Sequence, residues 1–377
     1  MRVVYVTHTA RRSGAEIGLL RFLAATRERI SATVILAEDG DLVPALRDAG
    51  AEPVVLPMAE DARGLKRDEV GLGRRQASAA AHVARYAVRL ARELRARRPD
   101  LAHTNSLKAG PYGSVAARLA GVPVVWHLHD HLSREYLPAR AVGPMRLLAA
   151  TLPDALLTVS QSVRRAVGRV RPGLQTDVIP FPVPMPAEPV ALRDRVEVIG
   201  TVGRLAPWKG QHVFLDAFAR AFPDGPVRAR VVGGPLFGET DYEQRLHAQA
   251  AALGIADRVE FTGHREDVED EFRQLDVLVH ASITGDPQPQ AVIEGMGAGL
   301  PVVAAGAGGI PEYLHDGVAG VLHRPGDAGD LARAMLRAAG PLEARRAMAA
   351  AGRAAVQQFT PEVLVGRMLD FYERVRG

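Results

Sequence analysis

Short runs of β-branched and other apolar residues alternate along this chain with longer stretches whose apolar positions recur at helical spacing. In the first half the runs fall at 3–6, 32–37, 53–56, 101–103, 124–127 and 155–159. Between them Ile17, Leu20, Leu23 and Ala24 share one helical face, and Val83, Ala87, Leu90 and Leu94 share another. Then Pro180, Pro182, Pro184 and Pro186 occupy every second position of 179–186, which forbids helix and interior strand and predicts a stiff, extended linker. The alternation restarts with runs at 196–202, 229–232, 258–261, 277–280, 301–304 and 320–322, and helical patterns open near Trp208, Asp241, Asp267, Gln290 and Ala328. Thr360 as N-cap and Pro361 at the first helical position start a last helix. Strands separated by amphipathic helices predict parallel sheets covered on both faces. The expected architecture is α/β, two doubly wound Rossmann-like domains facing a central cleft. Residues 1–182 form the first, 183–358 the second, and 359–377 a terminal helix crossing back to the first. In such folds ligands bind outside the carboxyl ends of the strands, and every motif below follows a predicted strand.

Composition narrows the function classes. A hydrophobic fraction of 47% over 377 residues suits two globular domains and argues against disorder. The absence of cysteine excludes disulfides, thiolate nucleophiles and thiolate metal ligands. Neither a signal-peptide pattern nor an apolar run of the ~20 residues a membrane span needs is visible, so the expectation is a cytoplasmic protein, at most peripheral to the inner membrane face. Net charge is +4, unevenly spread: Arg63, Lys66, Arg67, Arg74, Arg75, Arg85, Arg89, Arg92, Arg95, Arg97 and Arg98 crowd one region. Two readings fit them, a solvated helix face or a surface attracted to anionic lipid or an anionic acceptor. Nucleic acid is not an expected partner, because the segment holds a single aromatic, Tyr86, and no base-reading motif.

The chemistry-bearing residues concentrate between 199 and 301. Gly203, Arg204, Lys209 and Gly210 follow an apolar strand and put two cations on a strand-to-helix turn. Fixed cations there suit a diphosphate leaving group, whose negative charge grows as a glycosidic bond breaks. Asp286 and Glu294 stand eight residues apart, one in a loop and one in the helix behind it, and carboxylates accept hydrogen bonds from paired sugar and ribose hydroxyls. Each motif also has a bland reading: an exposed turn for the cations, and a structural partner for Glu294, which lies among Ala291, Val292, Ile293 and Met296. Ser13, Gly14, Ala15 and Glu16 follow the first strand and offer backbone N–H groups for phosphate or, equally, an ordinary helix cap. Gly233 and Gly263 follow two further strands and would let backbone approach a nucleotide, with Arg265 stacking on its base; structural turns explain them as well. His127 and His129 fall on one side of a strand, so a metal site is one reading; the preferred one is a single histidine, His129, hydrogen-bonding a sugar hydroxyl, with no metal.

Taken in order, these motifs resemble those of family 4 of the retaining glycosyltransferases, which has the GT-B fold. Residues 203–210 are similar to the family's GRLxxxKG segment and 286–294 to its two-acid EX7E segment; Gly308-Gly309-Ile310-Pro311-Glu312 and Asp316-Gly317-Val318-Ala319-Gly320 match too. Looser matches are Gly14-Ala15-Glu16, Pro99-Asp100-Leu101-Ala102-His103 and Val159-Ser160. The resemblance implies that Arg204 and Lys209 hold the diphosphate, Glu294 the ribose, and Asp286 and His129 the donor sugar, with Gly14 touching phosphate. It places Gly203, Gly233, Gly263, Arg265, Gln290 and Ala291 around the donor and Asn105 and Asp130 on the acceptor side. It further implies a UDP- or GDP-linked hexose donor, no metal or other cofactor, retention of configuration, and a glycan, lipid-linked or small-molecule acceptor. Three departures bear on the donor sugar: Asp286 replaces the usual glutamate, Pro289 stands where glycine is common, and Gln288 and Gln290 replace apolar residues. The rivals on the same fold are a nucleotide-sugar epimerase, a phosphorylase for which only Lys209 could carry pyridoxal, and a non-catalytic sugar-nucleotide-binding protein.

Overall fold

A computed structural model describes residues 1–60, 74–236 and 239–377. The chain divides into two compact units, 1–183 together with 361–377, and 184–360. Part of the arginine-rich segment (Arg63, Lys66 and Arg67) lies outside the described residues.

The first unit holds seven parallel strands, β1 (Arg2–Thr7), β2 (Ser31–Leu36), β3 (Glu52–Val55), β4 (Leu101–Thr104), β5 (Val124–Leu128), β6 (Ala155–Thr158) and β7 (Gln175–Val178), in the order β3-β2-β1-β4-β5-β6-β7. Tyr5 pairs with Val34 on one side and His103 on the other, so β1 is central and buried on both faces. That double burial is why these strands read as continuous apolar runs rather than alternating ones. Strand order reverses between β1 and β4, the switch point at which open α/β sheets take ligands. The helices are α1 (Gly14–Thr26), α2 (Leu42–Asp48), α3 (Arg74–Arg97), α4 (Ala109–Ala120), α5 (Ala139–Thr151) and α6 (Gln161–Val167). β7 carries no apolar alternation and was not expected; it is an edge strand whose Asp177 meets Arg367 and Arg374 of the terminal helix.

Helix α3 buries Tyr86, Ala87, Leu90, Ala91 and Leu94, close to the face that the periodicity indicates. Several of its arginines are tied to neighbouring backbone and acids. Arg89 donates to the Pro57 carbonyl at 3.1 Å, Arg97 to Glu52 at 2.8 Å, and Arg95 to the Leu119 carbonyl. Among the described residues no helix is long and apolar enough to cross a membrane.

The proline-rich stretch is extended, as expected, but it is not a free linker. Residues 179–183 are buried in the first unit, and the Ile179 amide continues the ladder by donating to the Thr158 carbonyl at 3.0 Å. Phe181 packs where a Cβ on Gly18 of α1 would overlap it. Alternate prolines keep this segment extended while it lines the sheet rather than bridging through solvent.

The second unit repeats the plan with six parallel strands: β8 (Val198–Val202), β9 (Arg228–Val232), β10 (Val259–Gly263), β11 (Val277–His280), β12 (Val302–Ala305) and β13 (Val321–His323), in the order β10-β9-β8-β11-β12-β13. Its switch point lies between β8 and β11. Its helices are α7 (Gln211–Ala221), α8 (Thr240–Ala252), α9 (Val268–Arg273), α10 (Gln290–Gly297), α11 (Ala328–Ala338) and α12 (Leu342–Ala355). Phe214, Phe218, Leu246, Val279, Leu331 and Met335 form the centre of its core. The last helix, α13 (Pro361–Arg376), belongs to the first unit, where the Tyr372 hydroxyl lies 2.8 Å from His103 Nδ1 and 3.4 Å from the Tyr5 hydroxyl.

Close helix-on-strand packing in the first unit depends on Gly110 of α4, whose added Cβ would overlap the fully buried Trp126 ring. Alanine would ordinarily favour a helix interior over glycine by about 1 kcal/mol. Here overpacking outweighs that gain, so Gly110→Ala is expected to destabilise the first unit by about 1–3 kcal/mol in chemical denaturation; a variant as stable as the parent would disprove the packing constraint.

Candidate active site

The carboxyl ends of β8, β9 and β10 are stapled together by glycine. Gly203 donates its amide to the Val232 carbonyl and Gly233 to the Gly263 carbonyl, each at 2.9 Å. All three glycines have positive φ, and a Cβ on Gly233 would overlap the Gly203 carbonyl oxygen. These glycines therefore pack against one another, a structural reason for their presence that stands apart from any ligand.

After Gly203 the chain makes a one-turn 3-10 helix, Pro207–Lys209, that ends on Gly210 at φ 70°. A side chain at Gly210 would strike the Ala281 carbonyl, and the Trp208 carbonyl accepts from the Ile283 amide at 2.9 Å. The turn after β8 is thus pressed onto the segment leaving β11, across the switch point. That contact brings together two residues 77 positions apart: Lys209 Nζ lies 2.6 Å from Asp286 Oδ2. The Lys209 ammonium also sits 4.2 Å from the centroid of the Trp208 ring.

Asp286 is almost fully buried, and burial alone would raise its pKa. The Lys209 charge and a hydrogen bond with His280 outweigh burial and hold the carboxyl well below the usual carboxylate range. His280 Nε2 is 3.4 Å from Asp286 Oδ2 and 2.9 Å from Ser282 Oγ. The loop after β12 clamps the Asp286 backbone: the Gly309 amide donates to its carbonyl at 2.9 Å, and a Cβ on Gly308 would overlap that oxygen. Arg204, the other expected cation, pairs with Glu239 at 3.3 Å. Arg265 is about half exposed and pairs with Glu271 at 3.2 Å. Gln290, Ala291 and Glu294 occupy the first turns of α10, each half-buried.

In the first unit Gly14 opens α1 after β1, and Ser13 forms no side-chain cap to that helix. Its hydroxyl donates instead to Glu16, whose other carboxylate oxygen accepts from Thr7 at 3.4 Å. Glu16 is buried, and that burial pushes its carboxyl up to about 7 against the hydrogen bonds from Ser13 and Thr7; the charge of Asp130 adds to the rise. His129 lies past β5 with its ring 4.5 Å from that of His127 and 4.7 Å from that of Phe181. Desolvation, reinforced by neighbouring histidines, drives His129 well below the usual histidine range, and His127 is lowered to about 3. His127 is committed to the Ile179 carbonyl at 3.2 Å, while the Nε2 atom of His129 is buried without a hydrogen-bond partner. Among the described residues no group of three metal-ligating side chains is arranged to hold an ion. Asn105 is fully buried at the end of β4, and neither atom of its amide group has a partner. Next to it Ser106 Oγ meets His8 Nδ1 at 3.0 Å, joining the ends of β1 and β4.

Comparison with known proteins follows the same division of the chain. Residues 40–185 match the profile of Glycosyltransferase Family 4, and residues 196–340 match that of Glycosyl transferases group 1. A D-inositol 3-phosphate glycosyltransferase of Stackebrandtia nassauensis is 32% identical over 313 residues, covering 73% of this chain and 69% of that protein. The chain belongs to glycosyltransferase family 4. HepE of Anabaena, solved in complex with UDP-glucose, superposes with a TM-score of 0.85 at 28% identity over 99% of this chain and 100% of that one. A sucrose-phosphate synthase of Thermosynechococcus elongatus has a TM-score of 0.81 at 17% identity over 100% of this chain and 99% of that one, a likeness of fold alone. The two Rossmann-like units are those of a GT-B glycosyltransferase.

Family signatures drew attention to Lys209 and Asp286 separately; their pairing is a fact of the fold. His280, Ser282 and His323 carry no mark in the sequence: His280 and His323 each end an apolar run like an ordinary strand terminus, and Ser282 stands two residues after His280. The one available signal was a histidine six residues before a loop acid.

Glu16 supplies a test of the electrostatics at the first strand end. Its folded pKa lies above the ordinary 4.5, so the folded state holds the proton more tightly than the unfolded chain. Its contribution to stability is complete below the ordinary value and is lost as pH rises through about 7. Glu16→Gln is expected to flatten that loss, raising the melting temperature relative to the parent at pH 8 and not at pH 4. Parallel melting curves for the two proteins would contradict the burial of a titrating carboxyl here.

Proposed function

We propose that the chain is a retaining, metal-independent hexosyltransferase that uses a UDP-linked sugar and passes it to a hydroxyl of a glycan, lipid-linked or small-molecule acceptor. The observation that carries this reading is the Lys209–Asp286 pair at the switch point of the second sheet, with Arg204 on the same turn. A carboxylate that is buried and still ionised fixes a cation beside the strand ends, where an anionic leaving group would bind. The 28% identical HepE, solved with UDP-glucose, supports UDP over GDP.

In this mechanism Arg204 and Lys209 bind the diphosphate, and Glu294 accepts hydrogen bonds from the ribose. Asp286 and His129 orient the sugar, His129 as a neutral imidazole, in keeping with its lowered pKa. The bond between the anomeric carbon and the distal phosphate oxygen breaks, and its electrons leave with the diphosphate. Lys209 and Arg204 stabilise that growing charge more than the ground state. The acceptor oxygen attacks from the face the diphosphate is leaving, and its proton passes to a departing phosphate oxygen. UDP and a glycoside of unchanged configuration result, with no enzymic base required. Gln290 and Ala291 at the start of α10, with Gly203, Gly233 and Gly263, line the donor; Asn105 and Asp130 belong to the acceptor side. Arg265, held by Glu271, flanks the base.

Removing Lys209 alone would strand the buried Asp286 charge, which costs about 3–5 kcal/mol where a buried pair is broken. The informative variant is therefore the double variant Lys209→Met, Asp286→Asn, which removes both charges, with Lys209→Met as its comparison. Both are expected to lose at least ~100-fold in turnover of UDP-glucose, while the double variant melts near the parent. Near-parental turnover in the stable double variant would remove Lys209 from the chemistry. Product NMR tests the stereochemistry: an inverted anomer, or UDP release that no acceptor stimulates, would refute retaining transfer.

A further inference from the structure

His280 closes β11, and its ring is only 7% exposed. Three contacts define it. Nε2 faces Asp286 Oδ2 at 3.4 Å and Ser282 Oγ at 2.9 Å; Nδ1 is buried with no partner; and its backbone carbonyl faces His323 Nε2, from β13, at 3.1 Å. Burial lowers the basicity of His280 more than Asp286 restores it, so at neutral pH the ring carries one proton. Asp286, ionised, can only accept. A proton on Nδ1 would leave a buried N–H without an acceptor and turn a lone pair toward the carboxylate, whereas a proton on Nε2 can be shared between Asp286 Oδ2 and the nearer Ser282 Oγ and leaves only an unpartnered lone pair on Nδ1.

We infer that His280 is a positioning residue of the donor site: its Nε2–H and the Lys209 ammonium converge on Oδ2 of Asp286, committing that oxygen to the protein and reserving Oδ1 for the sugar. Both of these side-chain contacts fall on Oδ2. Two donors from different elements, β11 and the turn after β8, fix the rotation of a short side chain that alone would turn freely. Aspartate suits this arrangement, since its carboxylate is held close to the backbone that Gly309 clamps. The inference rests on the proposed function for what Oδ1 meets, and on geometry alone for where the His280 proton lies.

Two variants and one spectroscopic measurement test it. His280→Leu removes the donor; His280→Gln keeps an amide N–H at similar reach. With UDP-glucose, the leucine variant is expected to lose about 10- to 100-fold in kcat from a misdirected carboxylate, with a smaller change in the Kd of UDP, and the glutamine variant to recover most of the loss. Losing the donor also raises the Asp286 carboxyl, so the acid limb of kcat/KM should move to higher pH in the leucine variant and stay in place in the glutamine variant. The other ionisable groups facing this pair, Lys209, His323 and Tyr313, are the same in all three proteins. A merely structural histidine would not move that limb. Long-range 15N spectra of the parent read the tautomer directly, without turnover and without depending on the stability of either variant. An Nδ1–H tautomer, or a folded leucine variant with parental kcat and acid limb, overturns the inference. Failure of the parent to bind UDP or turn over UDP-glucose would instead refute the proposed function and leave the nitrogen spectra to decide His280.

Discussion

The ion pair between the partly buried Lys209 and the buried Asp286 is the constraint around which the carboxyl edge of the second unit's sheet is built. It joins the turn after β8 to the loop after β11, and the loop after β12 adds its own clamp on the Asp286 backbone. Moving a carboxylate out of water costs several kcal/mol even after the protein relaxes. Asp286 stays charged because an ammonium at 2.6 Å and an imidazole donor compensate for that cost. The tight backbone fit around it makes the compensation possible. Gly210 lies against Ala281 and Gly308 against Asp286, and neither position tolerates a Cβ. Charge and packing are thus coupled: the glycines let the two segments approach closely enough for the ion pair, and the ion pair offsets the cost of burying the carboxylate.

Such a pair is a poor device for stability. Replacing a buried salt bridge with apolar residues of similar volume is often neutral or stabilising. What the pair does supply is a cation held at fixed position before any ligand arrives, so that little reorganisation remains when charge develops beside it. Arg204 follows the same logic, held by Glu239 at 3.3 Å. Under the proposed reading, both cations of the turn are oriented by acids of the protein itself, and the diphosphate joins that arrangement.

The fold was largely legible because its strands are buried on both faces and stand out as apolar runs; most expected runs coincide with an observed strand to within one or two residues. The exceptions are instructive. β7, Gln-Thr-Asp-Val, lies at a sheet edge and carries polar residues that meet arginines of the terminal helix, so no hydrophobic pattern marks it. The prolines of 179–186 announce extended backbone but not its burial, because what covers Phe181 is Gly18 and two histidine rings, His127 on β5 and His129 just past it. For the site, sequence could name Lys209 and Asp286 as chemically apt but not as partners, since 77 residues separate them and only the switch-point crossover makes them neighbours. His280 and His323 were illegible for the same reason, each being an unremarkable residue at the end of its own strand.

This separates two kinds of information in a family signature. Gly203, Gly233 and Gly263 all hold positive φ, and Gly233 also has no room for a Cβ, so backbone geometry accounts for them with or without a substrate. A match at those positions is evidence about backbone. The charged residues have no comparable structural necessity, because an apolar pair would fill the place of Lys209 and Asp286 at lower cost in desolvation. A chain that retained this fold but had abandoned sugar-nucleotide chemistry would be expected to keep the glycines and lose the charges. This one has Lys209, Asp286 and Arg204 braced by partners at the carboxyl edge of its sheet, and adds His280 behind them. The charged half of the signature, rather than the glycine half, is therefore what supports transfer chemistry.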